Sequence, residues 1–157
     1  MSELKVGDKI PEILGTSTDG RIVSAAEFAG EPLIIYFYPK DNTPGCTAEA
    51  CSLRDGDPLL RRLGYTIIGI SKDSPASHEK FAAKYGLPFM LLSDESTEVN
   101  QAFGVWQKKM MAGREYMGTV RTTFVTDADH RITHIITKVD TKDAAGQLKK
   151  LILPEEH

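Results

Sequence analysis

The chain has 157 residues, 41% of them hydrophobic and 26% charged, and a net charge of -3. That is enough for one soluble globular domain with a full core, and the charge offers no basic field for nucleic acid or anionic lipid. The longest apolar run, Leu33 to Tyr38, is far too short to cross a bilayer. The opening Met1-Ser2-Glu3-Leu4-Lys5 lacks the apolar core of a signal peptide, so a cytoplasmic protein is expected. In that reducing compartment the two cysteines, Cys46 and Cys51, point to redox or metal chemistry rather than to a structural staple.

Taken in chain order, Ile13 to Val23 is predicted to form a hairpin around Thr18-Asp19-Gly20. Leu33-Ile34-Ile35-Tyr36-Phe37 is a continuous β-favouring run, as in a strand covered on both faces. A helix is predicted from Thr43 or Pro44, because Thr is a good N-cap and Pro suits the first helical position. Gly56-Asp57-Pro58 interrupts the pattern, with Asp57 as N-cap of a kinked or fresh segment running through Leu59, Leu60 and Leu63 to Gly64. Tyr65 to Ser71 is a second buried strand. Ser74-Pro75 opens a helix that carries Phe81 and Tyr85 and closes at Gly86 and Pro88. His78, beside Glu79, is placed on that helix's surface.

Phe89 to Leu92 reads as a short strand, and Ser96 or Thr97 as the cap of a small helix bearing Val99 and Phe103. Trp106 to Met111 reads as an edge strand with a solvated face. Arg121 to Thr126 and Arg131 to Lys138 pair around Asp127-Ala128-Asp129-His130, and Thr141 caps a last helix with Leu148, Leu151 and Ile152. Strands separated by helical crossovers, then a hairpin and a helix, predict an α/β sheet layered on both faces, in a single domain over residues 1–157.

Cys46 lies where an apolar strand gives way to a helix start. The partial positive charge of a helix N-terminus favours a thiolate there and can lower a thiol pKa from about 8.5 to roughly 3.5–7.5. Pro44 and Gly45 leave its approach uncovered. Cys46 is therefore the candidate nucleophile and Cys51 the candidate group to trap its oxidised form. Thr43, three residues earlier, could bond a backbone N–H, the sulfur or a bound oxygen, or serve only as an N-cap. On an ideal helix a five-residue separation puts the two Cα atoms roughly 8–9 Å apart on different faces. Disulfides rarely span more than about 7 Å between Cα atoms, so a Cys46–Cys51 bond requires the first helical turns to unwind.

Pro39-x-x-x-Thr43-x-x-Cys46 resembles the active-site pattern of the peroxiredoxins, and Phe37 to Asp55 resembles their bacterioferritin-comigratory-protein (PrxQ) subfamily. The resemblance continues through Gly69-Ile70-Ser71, Ser77-His78-x-Lys80-Phe81, Lys84-Tyr85-x-Leu87-Pro88-Phe89 and Leu91-Leu92-Ser93-Asp94. It extends to Gly104-Val105-Trp106, Met117-Gly118 and Arg121-Thr122-Thr123-Phe124, nearly the whole chain.

This resemblance implies a thioredoxin-like fold with a central mixed β-sheet, helices on both faces and an N-terminal hairpin. It implies a thiol peroxidase acting on hydrogen peroxide and organic hydroperoxides. Cys46 would become a sulfenic acid, Cys51 would resolve it as an intramolecular disulfide, and thioredoxin or a similar dithiol would reopen that bond. It also implies that Arg121 holds the thiolate and peroxide oxygens, that Thr43 hydrogen-bonds the peroxide and that Pro39 shields the pocket. Glu49, one turn after Cys46, matches an acidic position of the subfamily. No cofactor or metal is implied, and a monomer is expected.

Alternatives stand beside these roles. Arg121 would equally pair with Asp127, Glu49 would equally be a solvated helix carboxylate, and Pro39 would equally end the strand. A general thiol–disulfide oxidoreductase is the rival enzyme class, but it uses Cys-x-x-Cys, whereas here four residues intervene. A metal-binding or holdase module is the rival outside catalysis. His130 and His134 lie on an alternating, strand-like stretch, which denies them a shared helix face for a metal.

Overall fold

The computed structural model describes residues 4–153, so Met1 to Glu3 of the opening segment lie outside them. The elements in order are β1 (Ile13–Thr16), β2 (Ile22–Ser24), a 3₁₀ turn (Ala25–Phe28), β3 (Leu33–Phe37), α1 (Pro44–Arg62), β4 (Thr66–Ser71) and α2 (Pro75–Tyr85). They continue with β5 (Met90–Ser93), α3 (Glu98–Ala102), β6 (Trp106–Met111), β7 (Arg114–Thr119), β8 (Thr122–Thr126), β9 (Ile132–Ile136) and α4 (Ala144–Ile152). Seven strands form one mixed sheet in the order β2-β1-β5-β4-β3-β8-β9, while β6 and β7 form a separate antiparallel pair. The pairs β3–β4 and β4–β5 are parallel, and β8 runs antiparallel to β3.

Every residue of β3 is buried, as its unbroken apolar run requires. Alternate side chains serve two cores. Leu33, Ile35 and Phe37 pack with Val99 and Phe103 of the α3 side, whereas Ile34, Tyr36 and Tyr38 pack with Cys46, Leu53, Phe81 and Leu148 from α1, α2 and α4. Helices thus cover both faces, and the hairpin β1–β2 closes one edge of the sheet. Among the described residues no helix is long and apolar enough to cross a membrane.

The predicted break at Gly56-Asp57-Pro58 is not a break: α1 runs unbroken over 19 residues with Pro58 inside it. Proline removes one backbone donor and crowds the preceding turn, so tertiary contacts must hold the segment. Gly56 gives close passage to α4, because a Cβ there would stand 2.4 Å from the Ala145 Cβ. Ser52 Oγ accepts from the Ala145 N–H at 3.1 Å, and Arg54 and Arg61 donate to the Tyr85 and Pro88 carbonyls. Asp57 is no N-cap; its carboxylate accepts from Arg61 Nε at 2.7 Å, one turn on.

Two other caps differ from expectation. The backbone N–H groups of Val99 and Asn100 donate to Asp94, which therefore does the work assigned to Ser96 or Thr97. Asp143, not Thr141, caps α4 by accepting from the Gly146 N–H. The partner strand β7 was not predicted, whereas β6 is the solvated strand expected, with Met110 and Met111 exposed.

Candidate active site

The parallel strand β3 ends at the N-terminus of α1, so the Tyr38–Thr43 loop delivers Cys46 to the first turn of a helix. Thr43 is the N-cap by position, with extended backbone (φ -95°, ψ 154°), and Pro44 takes the first helical position. The Thr43 hydroxyl does not cap the helix; it donates to the Lys40 carbonyl at 3.0 Å and so tightens the loop. Pro39 is half-buried where the chain leaves the sheet.

Arg121 arrives from the other side of β3. Strand β8 pairs with β3 so that Thr122 stands opposite Phe37, which sets Arg121 beside the strand end from which α1 departs. Its Nη2 donates to Cys46 Sγ at 3.3 Å and its Nη1 to Glu49 Oε1 at 2.5 Å. Gly45 lies beside this contact: a Cβ there would stand 3.4 Å from Arg121 Nη2, an ordinary van der Waals distance. A guanidinium at hydrogen-bond range stabilises negative charge on the sulfur.

Glu49 is not a solvated helix carboxylate. It is fully buried, and its Oε2, like the nearby Tyr36 hydroxyl, has no hydrogen-bond partner. Burial pushes its carboxyl up to about 7, against the pull of Arg121. Burial also opposes the Arg121 charge, but Glu49 and Cys46 outweigh it and hold the guanidinium on. Arg121 therefore does not serve Asp127, the alternative its sequence neighbourhood offered.

The structure brings Cys46, Glu49 and Arg121 together and leaves Cys51 apart. Cys46 is 2% exposed and belongs to the core, whereas Cys51 is half-buried and faces a groove between α1 and α4 lined by Asp55, Lys142 and Lys149. Both thiols are free.

Sequence reasoning misplaced His78, which is fully buried rather than on the helix surface, and passed over Asp41, which bonds with it, and Tyr38, which donates to Asp41. The signal was present: His78, Phe81, Ala82 and Tyr85 follow the i, i+3, i+4, i+7 rule of a buried helix face. Asp41, Asp73 and His78 place ligand-type atoms within 4.8 Å of one another. Hydrogen bonds already account for that grouping. His130 Nε2 faces the Phe28 carbonyl at 2.9 Å and His134 Nδ1 the Thr133 hydroxyl at 3.0 Å, so each ring already has a local partner.

Residues 6–135 match the AhpC/TSA family. The chain is 41% identical over 144 residues to peroxiredoxin Bcp of Bacillus subtilis, covering 92% of each chain. It is 42% identical over 143 residues to peroxiredoxin Bcp of Escherichia coli, covering 91% of this chain and 92% of the other. Among solved structures it is similar to the bacterioferritin comigratory protein of Xanthomonas campestris, a protein with alkyl peroxide reduction activity. That match has TM-score 0.84 and 30% identity, over 94% of this chain and 97% of that one.

Proposed function

The chain belongs to the AhpC/TSA family, as a peroxiredoxin of the Bcp (PrxQ) kind, and on that premise we propose that Cys46 reduces hydrogen peroxide and organic hydroperoxides. The observation that carries this reading is the contact of Arg121 with both Cys46 Sγ and Glu49 at the head of α1. Alkyl peroxide reduction by the Xanthomonas relative supports extending the substrate class beyond hydrogen peroxide.

The Cys46 thiolate attacks the terminal peroxide oxygen; the S–O bond forms as the O–O bond breaks. The sulfur is oxidised to sulfenic acid, and the leaving oxygen takes a proton and departs as water or alcohol. Arg121 favours both the thiolate and the charge developing on the leaving oxygen. The Thr43 hydroxyl, whose hydrogen is turned to the Lys40 carbonyl, offers its oxygen as an acceptor to the bound peroxide, and Pro39 keeps bulk water from it. Cys51 then gives up its proton and attacks the sulfenic sulfur as a thiolate; the S–O bond breaks, the expelled hydroxide takes up that proton as water, and a disulfide joins the two residues. A thioredoxin-type dithiol reduces that disulfide by exchange. The thiols supply the electrons, so the cycle uses no cofactor. The whole chain acts as one domain, as a monomer, in the reducing cytoplasm.

Steady-state peroxide consumption with thioredoxin and its reductase tests this reading. Cys46→Ser is expected to abolish turnover. Cys51→Ser is expected to consume one equivalent of peroxide and then fail to recycle. Full turnover by Cys46→Ser would refute the assignment of the nucleophile, and normal recycling by Cys51→Ser would refute the resolving role.

A further inference from the structure

A second polar cluster is buried behind the reactive loop, and the chemistry above gives it no part. His78 on α2 is fully buried. Its Nδ1 lies 2.7 Å from Asp41 Oδ2, and its Nε2 lies 3.1 Å from the Leu92 carbonyl oxygen on β5. Carboxylates and carbonyls only accept, while a neutral imidazole carries one N–H. Two hydroxyls also lie near the ring, Ser71 Oγ at 3.5 Å from Nε2 and the Tyr38 oxygen at 3.4 Å from Nδ1, but they donate to Asp73 and Asp41, so either neutral form would set a bare nitrogen lone pair against an oxygen. A ring that donates from both nitrogens satisfies both, and the Asp41 carboxylate balances its charge.

Asp41 is itself saturated. It accepts from the Tyr38 hydroxyl at 2.5 Å and the Ser77 hydroxyl at 2.8 Å, in addition to His78. Its backbone N–H donates to Asp73 Oδ2 at 2.9 Å, and Ser71 Oγ donates to the same oxygen at 2.6 Å. Burial opposes the Asp41 charge, yet the bonds from His78, Tyr38 and Ser77 hold its carboxyl below the ordinary range. The ionisable groups around the ring are therefore Asp41, Tyr38 and Asp73.

Asp41 lies in the loop that joins β3 to α1, five residues before Cys46. Its neighbour Asn42 sits at φ 60°, in the left-handed region that side chains adopt only at some cost. Asn42 Oδ1 accepts from Lys84 Nζ and the Tyr85 hydroxyl, both on α2. Helix α2 thus grips two successive residues of the loop from which α1 starts.

We propose that His78 is a positioning residue of the reactive centre. By donating from both ring nitrogens it ties Asp41 to β5, fixes the loop over residues 38–43, and so aims the first turn of α1 and Cys46 at Arg121. Its consequence for peroxide rests on the peroxidase reading; its geometry does not.

Two measurements decide it. Histidine-selective ¹⁵N NMR of the reduced protein at neutral pH, assigned by substituting each of the other histidines in turn, is expected to show two ring N–H groups on His78. A single protonated nitrogen overturns the proposal. In a Cys51→Ser background, His78→Gln is expected to slow single-turnover oxidation of Cys46 by hydrogen peroxide about ten-fold, and Ser77→Ala by about three-fold, as small misplacements of a nucleophile do. Alkylation of Cys46 by iodoacetamide reads the same displacement without peroxide. If the unsubstituted protein alkylates normally but ignores peroxide, the peroxidase reading fails, and changed alkylation in the variants still supports the positioning role. Unchanged oxidation and alkylation in the variants overturn it. If His78→Gln does not fold, Ser77→Ala and the NMR signature decide the question by the same criteria.

Discussion

Arg121 reaches two acidic groups at once, Nη2 towards Cys46 and Nη1 towards Glu49, and one positive charge cannot fully balance two negative ones in a buried site. Glu49 holds its proton to about pH 7, whereas a carboxyl in the unfolded chain ionises near 4.5. Between those values the folded protein binds more protons than the unfolded one, so this group's contribution makes stability fall as pH rises through the window. Glu49→Gln is expected to flatten that fall, read as a smaller difference in urea midpoint between pH 5 and pH 8. An unchanged difference would mean that Glu49 does not titrate there. The guanidinium fork matters as well as its charge, because a lysine offers a point charge and cannot bridge two groups in this geometry. Arg121→Lys should lower the single-turnover rate of Cys46 oxidation by about 100-fold. A rate within about two-fold of the parent would show that charge alone suffices. The position of Cys46 at a strand-to-helix junction was legible in the sequence. The Arg121 pairing was not, because it joins residues 75 positions apart, and only the family resemblance singled that arginine out.

At the scale of elements, α1 shows where local signals mislead. Gly, Asp and Pro in succession are turn formers by propensity, yet here they stand inside one helix. Gly56 is small so that α4 can approach, Asp57 pairs with Arg61, and the segment around Pro58 is held by contacts from α4, α2 and the α2–β5 turn. Gly56→Ala weighs two opposing effects. Helix propensity favours alanine by about 1 kcal/mol. Overpacking against Ala145 costs roughly 1–3 kcal/mol, so a net loss of stability is expected in urea unfolding, relieved by adding Ala145→Gly. A stabilised Gly56→Ala would show that α4 moves aside freely. The strands of the main sheet were readable because apolar runs and turn residues mark them locally. The pair β6–β7 was only half readable: β7 is exposed at Arg114 to Met117 and carries no alternating apolar pattern. His78 was missed because a histidine beside a glutamate reads as surface, whereas its partner Asp41 lies 37 residues earlier in the chain.

For the whole molecule, the proposed cycle requires two free thiols on one helix to meet. The first turn of α1 depends on the β3–α1 loop and on Arg121, while the later turns are clamped to α4 through Ser52 and Gly56 and to the Tyr85 carbonyl through Arg54. On the proposed cycle, oxidation of Cys46 would take away the sulfur's negative charge from Arg121, leave Glu49 as that cation's partner and loosen the first turn. Unwinding is therefore expected to involve the residues before Ser52 and to spare those after it. The topology explains why the fold suits this. The β3–β8 register sets Arg121 beside the end of β3, and on the proposed cycle the start of α1 is the part that must move. The most direct measurement is an intact-mass spectrum, with peptide mapping, of the fully reduced protein after one equivalent of hydrogen peroxide. Loss of two hydrogens with a Cys46–Cys51 crosslink is the predicted result. A stable single-oxygen adduct on Cys46, or an unchanged mass, would contradict the two-cysteine cycle.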